Sequence, residues 1–397
     1  MQPRNPERSS AKFLSGSVIE SAPGKNALIG IQSVRTIPVG VVTVGSPHNQ
    51  ITSKHRVENM DHSIAAWQPD LGQPLQLAPI EAPQPGPNEI LVRNRAIAIN
   101  PVDWLLQDTA LFPWLDYPAI LGSDVAGDVV AVGTNVVGFK VGDRVLGQAV
   151  GATTNRPAHG AFQSFTLVLS NMASKIPLNI SYVNAAVLPL GLGTAACGLF
   201  EKNHLGLEHP SLTPKATGKT ILVWGGSSSV GCNAIQLAVA AGYECITTAS
   251  PHNMDMVKSL GATLMFDHAD KYVVDQVVEA LRGREFVGAL HATGNIQDCF
   301  SAVSVCDGRR FVSTTLPPPT DLAAGVETRL IFGTSLKDNE VSKIVYVDFL
   351  ADALAGGKFQ PAPTAQIAGH GLESLQTALH AQKSGVSGAK IVVSLEA

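Results

Sequence analysis

The residues of this 397-residue chain best suited to chemistry lie in one short stretch. Gly226, Ser227, Ser228, Ser229, Val230 and Gly231 follow the apolar run Ile221–Trp224. A run without polar alternation suits a strand at the centre of a parallel sheet. Gly226 and Gly231, with Ser228 in the middle place, approximate the G-x-G-x-x-G spacing that seats a dinucleotide pyrophosphate on a helix N-terminus. On this reading Gly226 makes the tight turn, Gly231 lets helix and sheet pack closely, and Ser228 offers a hydroxyl to a phosphate. Such spacing also occurs in ordinary strand–helix turns. The strand before, a helix expected over 229–241 and a second strand at "ECITTAS" raise it to a cofactor reading.

The end of that second strand bears on which cofactor. An NAD site places Asp or Glu about 20 residues on, to bind the ribose 2′-hydroxyl. Here stand Thr248, Ala249, Ser250, Pro251, His252 and Asn253, with no carboxylate. A 2′-phosphate meets no like charge there. Ser250 and Asn253 can donate hydrogen bonds, and protonated His252 a charge-assisted one. The expected cofactor is therefore NADPH. The same residues also suit a cap for a helix over 253–260, and the two roles are compatible.

These residues need elements to hold them. From Lys219 to about Thr315, the strand-like runs "TILVWGG", "ECITTAS", "TLMFDH", "GALHATG" and "RRFVSTT" alternate with helical stretches at 229–241, 253–260 and 272–282. That alternation predicts a parallel, doubly wound sheet. Residues 60–189 are instead short Val/Ile/Phe runs broken by Gly and Asp, among them "EILVRNRAIAIN", "GDVVAVG", "VGDRVLG" and "GAFQSFTLV", which predict a small antiparallel barrel. The expected fold class is α/β with these two parts. The doubly wound domain spans 190–325, and 326–397 returns to the barrel through "GAKIVVSL". Residues 1–59, rich in Ser, Pro, Gly and Asn with no sustained period, read as a disordered extension rather than a transit peptide.

Composition narrows the classes. Hydrophobic residues make up 45% and charged residues 15%, with a net charge of −4, so nucleic acid and anionic membranes are not expected partners. No apolar run approaches the roughly 20 residues of a membrane span. Cys197, Cys232, Cys245, Cys299 and Cys306 show no C-x-x-C spacing and read as buried reduced thiols of a cytoplasmic protein, with no zinc cluster.

"NPVDW" (Asn100 to Trp104), "LGSDVAGDVVAVG" (Leu121 to Gly133), "VGDRVLG", "GAFQSF" and the Gly226 turn, in that order, resemble the medium-chain dehydrogenase/reductase superfamily. The resemblance implies a GroES-like barrel and a Rossmann domain. Zinc alcohol dehydrogenases of that superfamily carry cysteine where Asn100 stands and histidine where Ser123 stands. An amide and a hydroxyl hold zinc poorly, so the chain resembles the zinc-independent branch of quinone and enoyl reductases, and no metal is expected. "GGSSSVG" with "SPHN" and the insertion "EKNHLGLEHPSLTPKATGK" is similar to fungal trans-acting enoyl reductases and related dehydrogenases of secondary metabolism.

Further contacts are implied by the resemblance. Pro101, Val102, Asp103 and Trp104 would lie by the nicotinamide. Ser227, Ser228, Ser229 and Val230 would cradle the pyrophosphate. Ser250, Pro251, His252 and Asn253 would hold the adenosine phosphate, with His268 where the family's tyrosine meets the adenosine side. Thr314 and Thr315 would approach the nicotinamide, Lys390 matches a basic position near the cofactor, and Thr194 enters the cleft. Leu105 stands where some quinone reductases carry tyrosine.

The expected reaction is hydride transfer from NADPH to the β-carbon of an activated C=C bond in an enoyl thioester, enone or quinone. The enolate formed needs hydrogen-bond donors. Asn100, Asp103 and Thr194 are the candidate catalytic side chains. Asn100 reads equally as a donor to the carboxamide or substrate carbonyl and as a brace for the turn before Pro101. Asp103 reads more readily as an acceptor of backbone bonds, and His159 and His291 as packed or loop histidines. Rivals are an NADPH-dependent ketone or aldehyde reductase and an NADPH-binding protein without turnover. Expected partners are a small-molecule or acyl-thioester substrate, with delivery by a polyketide synthase left open, as are monomer and homodimer. "STTLPPPTDLAAG" (Ser313 to Gly325) reads as a stiff cap on the cleft or a surface link back to the barrel.

Overall fold

Short β-branched runs separated by Gly and Asp build the first lobe in the computed structural model, which describes residues 63–396. The expected extension, 1–59, lies outside the described residues. The strands are β1 (Ile64–Gln68), β2 (Gln76–Pro79), β3 (Glu89–Ala98), β4 (Ala119–Ile120), β5 (Asp124–Val132), β6 (Arg144–Gln148), β7 (Phe165–Leu169) and β8 (Ala173–Lys175). Helix α1 (Pro101–Asp108) leaves β3 directly, with proline at its first position, where a missing N–H costs nothing.

The second lobe repeats strand, turn and helix. It contains β9 (Lys219–Trp224), β10 (Glu244–Ala249), β11 (Leu264–Asp267), β12 (Glu285–His291), β13 (Phe311–Thr314) and β14 (Glu327–Leu330). Its helices include α2 (Pro189–Phe200), α3 (Ser229–Ala240), α4 (Met254–Ser259), α5 (Val273–Leu281) and α6 (Ile296–Val305). All pairings are parallel, in the order β11-β10-β9-β12-β13-β14, the doubly wound arrangement of a Rossmann domain. β9 lies at the point where the strand order reverses, so the turn after it opens into the crevice where such sheets bind ligands.

The chain then returns to the barrel through β15 (Thr364–His370), α7 (Leu375–Lys383) and β16 (Ala389–Ser394). The larger barrel sheet runs β15-β16-β3-β5-β6-β8, with β7 on β3. It is antiparallel except for the parallel pair β15–β16. Its core includes Ile90, Ile97, Val125, Val145, Phe162 and Ile391, all essentially sealed from solvent.

Three expectations change. The Rossmann sheet does not end at 325, because β14 pairs with β13 from Phe311↔Glu327 to Thr314↔Leu330. Residues 315–325 of the stretch from Ser313 to Gly325 therefore lie in the crossover between two neighbouring parallel strands, not in a link back to the barrel. The helical stretch Tyr182–Phe200 does reach 19 residues of apolar composition, but it is mostly buried inside the protein, as a core helix is. All five cysteines are free and buried, as their apolar surroundings imply.

Candidate functional site

The turn after β9 is built on two adjacent glycines. Gly225, not Gly226, takes the left-handed backbone conformation, with φ +85°, so the tight turn belongs to Gly225. Gly226 serves close approach instead: a Cβ there would lie 2.1 Å from Thr247 Oγ1. At Gly231 a Cβ would lie 2.2 Å from the Gly225 carbonyl oxygen, so the start of the helix packs directly on the turn backbone. Thr248 on β10 locks the turn, its hydroxyl accepting from the Gly225 N–H at 2.9 Å and its carbonyl from the Gly226 N–H at 2.8 Å.

Ser228 is the N-cap of α3. Its hydroxyl accepts from the Gly231 N–H at 3.0 Å and donates to the Gly225 carbonyl at 2.9 Å, so it is committed to the protein rather than to a phosphate. The N–H groups of Ser229 and Val230 begin the helix, and with half-buried Ser227 they make an end that could hold an anion. This cradle fits a dinucleotide pyrophosphate: glycines flush with the backbone, a capped helix, and a strand-order reversal around it.

At the end of β10, Ser250 and His268 face each other, Oγ to Nε2, at 3.0 Å, and Pro251 and His252 are exposed. Asn253 is buried and its amide donates to Ser387 Oγ at 3.1 Å; His252 Nε2 lies 3.0 Å from the same hydroxyl. Asn253 thus holds the 387–388 loop with one of its amide N–H groups. Asp267 ends the neighbouring strand, paired with Ala249. Its Oδ1 accepts the Ala269 N–H at 3.0 Å.

The barrel's contribution comes from three strand ends. β3 runs antiparallel to β5, with Ala98 opposite Asp124, and β16 antiparallel to β3, with the Ile99 N–H on the Ile391 carbonyl at 2.9 Å. This register gathers Asn100, Asp124 and Lys390 at one place. Lys390 Nζ lies 2.9 Å from Asp124 Oδ2, donates to Asn100 Oδ1, and reaches Ser229 Oγ at 3.5 Å. Asn100 Nδ2 donates to the same Asp124 Oδ2 at 2.8 Å, and the Leu190 N–H donates to Asp124 Oδ1 at 2.5 Å. The ion pair is nearly sealed from water, with side-chain exposures of 4% for Lys390 and 0% for Asp124. It therefore joins barrel, connecting helix and cofactor turn.

Asn100 is a brace in this arrangement, with its amide oxygen and one N–H committed. Asp103 supports it from the third position of α1, its Oδ2 accepting the Asn100 N–H at 2.7 Å. Asp103 Oδ1 is buried without a hydrogen-bond partner among the described residues. Burial raises the Asp103 carboxyl to about 7; the Asn100 N–H opposes the rise, Asp124 adds to it and Lys390 opposes it. Asp103 thus keeps a proton up to near neutrality.

Other expected contacts divide. Pro101 is exposed, Val102 packs on the barrel core, and Trp104 packs on that core with Lys383 5.6 Å from its ring centroid. Thr194, on α2, lies against Gly333, where a Cβ would be 2.7 Å from its hydroxyl. The Thr314 hydroxyl donates to the Leu316 carbonyl at 2.9 Å, and that of Thr315 to the Ala292 carbonyl after β12 at 2.9 Å, so both hydroxyls are engaged by backbone. His159 is buried against Glu89 at 2.8 Å, and burial lowers its pKa, as it does that of buried His291. Two further residues that sequence reasoning missed, one on β6 and one in the helical segment 343–349, meet beside this junction. Gln148, paired with Asp124 across β5–β6, and Tyr346 meet at 2.8 Å, and the Tyr346 hydroxyl also lies 2.6 Å from the Pro189 carbonyl.

The fold family raises the question of a catalytic zinc at this junction. The side chains here do not suit it. The Asn100 oxygen and the Asp124 carboxylate already face the Lys390 ammonium, which supplies the positive charge a metal would bring. Ser123 offers only a hydroxyl beside them.

Residues 86–178 match the family model for the alcohol dehydrogenase GroES-like domain. Dehydrogenase azaJ of Aspergillus niger is 49% identical over 346 residues, covering 85% of this chain and 100% of that protein. Trans-enoyl reductase himH of Aspergillus japonicus is 40% identical over 339 residues, covering 83% and 97%. Among solved structures, an alcohol dehydrogenase superfamily protein from Novosphingobium aromaticivorans superposes with a TM-score of 0.69 at 27% identity, over 84% of this chain and 100% of that one.

Proposed function

The chain belongs to the medium-chain dehydrogenase/reductase superfamily, and we propose that it is an NADPH-dependent, zinc-independent oxidoreductase that reduces an activated C=C bond. The observation that carries the reading is the Asn100–Asp124–Lys390 junction set against the dinucleotide turn. A carbonyl accepting hydride at its own carbon develops an alkoxide that a metal ion would stabilise. A conjugated acceptor spreads the charge into an enolate, for which hydrogen-bond donors suffice. The resemblance to a relative named as a trans-enoyl reductase supports the same class. Enoyl thioesters, enones and quinones are the proposed acceptors, and an acyl thioester presented by a polyketide synthase falls within that class.

When bound, NADPH supplies the hydride. Ser227, Ser229 and Val230 would hold its pyrophosphate, with Gly225, Gly226 and Gly231 keeping the backbone close. Ser250, His252 and His268 would meet the 2′-phosphate; the absence of an acid between Thr248 and Asn253 supports NADPH over NADH. Lys390 fixes the Asn100 amide and the start of α3 relative to each other, so barrel and cofactor turn keep one geometry. Solvent is the proposed source of the proton at the α-carbon.

Following nicotinamide absorbance with NADPH or NADH and a panel of enoyl thioesters, enones, quinones and saturated ketones tests this. Turnover of the conjugated acceptors with NADPH is expected. Turnover confined to saturated ketones overturns the acceptor, and a preference for NADH overturns the cofactor assignment.

A further inference from the structure

We propose that Cys197, Glu201 and His204 bind one borderline divalent metal ion, zinc foremost, at the far end of α2 from the Asn100–Lys390 junction. Cys197 and Glu201 stand four residues apart at the close of α2 and so share a helix face. The turn that follows brings His204 back, with its N–H on the Glu201 carbonyl at 2.9 Å and Arg309 holding its carbonyl at 2.8 Å. One donor atom from each side chain, a sulfur, an imidazole nitrogen and a carboxylate oxygen, lies within 4.8 Å of the others. Among the described residues no other trio of His, Cys, Asp or Glu is gathered this closely.

The hydrogen bonds decide which imidazole nitrogen is available. Ser313 Oγ donates its proton to the Gly198 carbonyl at 2.9 Å. At 3.2 Å from His204 Nδ1 the same oxygen must then accept, so Nδ1 carries the proton. Nε2 is left with a bare lone pair, and it faces Cys197 Sγ at 3.8 Å. Metal-binding histidines are oriented by this kind of outer partner. Zinc–sulfur and zinc–nitrogen bonds of about 2.3 and 2.0 Å at a tetrahedral angle put the two ligand atoms about 3.5 Å apart, so only a few tenths of an ångström separate the site from that geometry. Glu201 is oriented in turn, its Oε1 accepting from Ser335 Oγ at 2.6 Å and Asn339 Nδ2 at 2.8 Å.

Cys197 and His204 are buried, at 1% and 3% exposure. Binding replaces the Cys197 S–H bond by a metal–sulfur bond and releases that proton to solvent. Mixed sulfur, nitrogen and carboxylate donors suit zinc better than magnesium or calcium.

An ion here would brace a segment that borders the cleft. The Phe332 carbonyl lies 3.8 Å from Cys197 Sγ, Gly333 packs on Thr194, and Thr334 meets Thr153 of the barrel at 2.8 Å. The site takes no part in the reduction proposed above.

The test is cobalt(II) titration of the full chain after chelator treatment. One equivalent is expected, with a thiolate-to-cobalt charge-transfer band that zinc displaces. Cys197→Ser should abolish the band, Cys299→Ser should keep it, and Ser313→Ala should weaken binding about 10–100-fold by freeing the imidazole. Zinc should raise the melting temperature of the unaltered chain, a readout independent of whether Cys197→Ser folds. No band and no zinc-induced stabilisation in the unaltered chain, or a band that survives Cys197→Ser, overturns the site.

Discussion

Replacing Lys390 by Met tests the junction on which the two lobes and the cofactor turn depend. The Nζ–Oδ2 distance to Asp124 is 2.9 Å and both side chains are almost fully enclosed. Asp124 would keep two N–H donors, from Leu190 and Asn100, but no cation. Asn100 Oδ1 would lose the donor that orients it. Removing one partner of a buried pair costs about 3–5 kcal/mol, because the remaining charge stays buried. At about 2–4 °C per kcal/mol, the melting temperature should fall by roughly 10 °C. The double variant Lys390→Met/Asp124→Asn removes both charges while Asn at 124 can still accept from Leu190. It should recover most of the loss. Thermal and denaturant unfolding of the single and double variants measure this. A single variant within about 1 kcal/mol of the parent, or a double variant no more stable than Lys390→Met, would refute the reasoning.

Gly231→Ala sets a Cβ against the Gly225 backbone, which cannot swing aside as a side chain can. NADPH affinity should fall about tenfold or more, a loss of about 1.4 kcal/mol, measured by calorimetry; unchanged affinity in the folded variant contradicts the cradle. For Asp103→Asn the effect depends on pH. The native carboxyl holds its proton up to about 7, whereas its ordinary value is 3.8, so between those values the folded chain binds more protons and its stability falls as pH rises. Asn does not titrate, so the stability of Asp103→Asn relative to the parent should climb between pH 4 and pH 7 by on the order of 4 kcal/mol and then level off. Parallel pH–stability curves would contradict it. Tyr346→Phe removes the hydroxyl that joins Gln148 to the Pro189 carbonyl and should cost about 1–3 kcal/mol in unfolding free energy. A neutral result would mean that this contact does not hold α2 against β6.

Much of the frame was legible because its signals are local. The apolar run Ile221–Trp224 falls in the central strand β9, and the stretch 229–241 becomes α3 to within a residue. Two adjacent glycines defeat residue counting: the spacing favours Gly226 for the turn, but only backbone conformation distinguishes it from Gly225. β14 was hidden behind the proline-rich crossover, since "ETRL" has no apolar pattern and earns its place as a short, largely exposed edge strand. The Ser228 hydroxyl, read as a donor to a phosphate, turns inward, because spacing does not show whether backbone groups already claim it. Asp124 was missed for a different reason. Its partners come from strand ends far apart in the chain, brought together by the register of β5, β3 and β16. An acid set directly before the glycine- and valine-rich stretch "VAGDVV" was the one available signal.

The most direct test of the account is where the hydride goes. Purified enzyme would be given an enoyl thioester and NADPH deuterated at the transferring position of the nicotinamide, and the product examined by mass spectrometry and NMR. The account predicts a saturated thioester with deuterium on the β-carbon and a solvent-derived proton on the α-carbon. Deuterium on the carbonyl-derived carbon, giving an alcohol with the double bond intact, would contradict it.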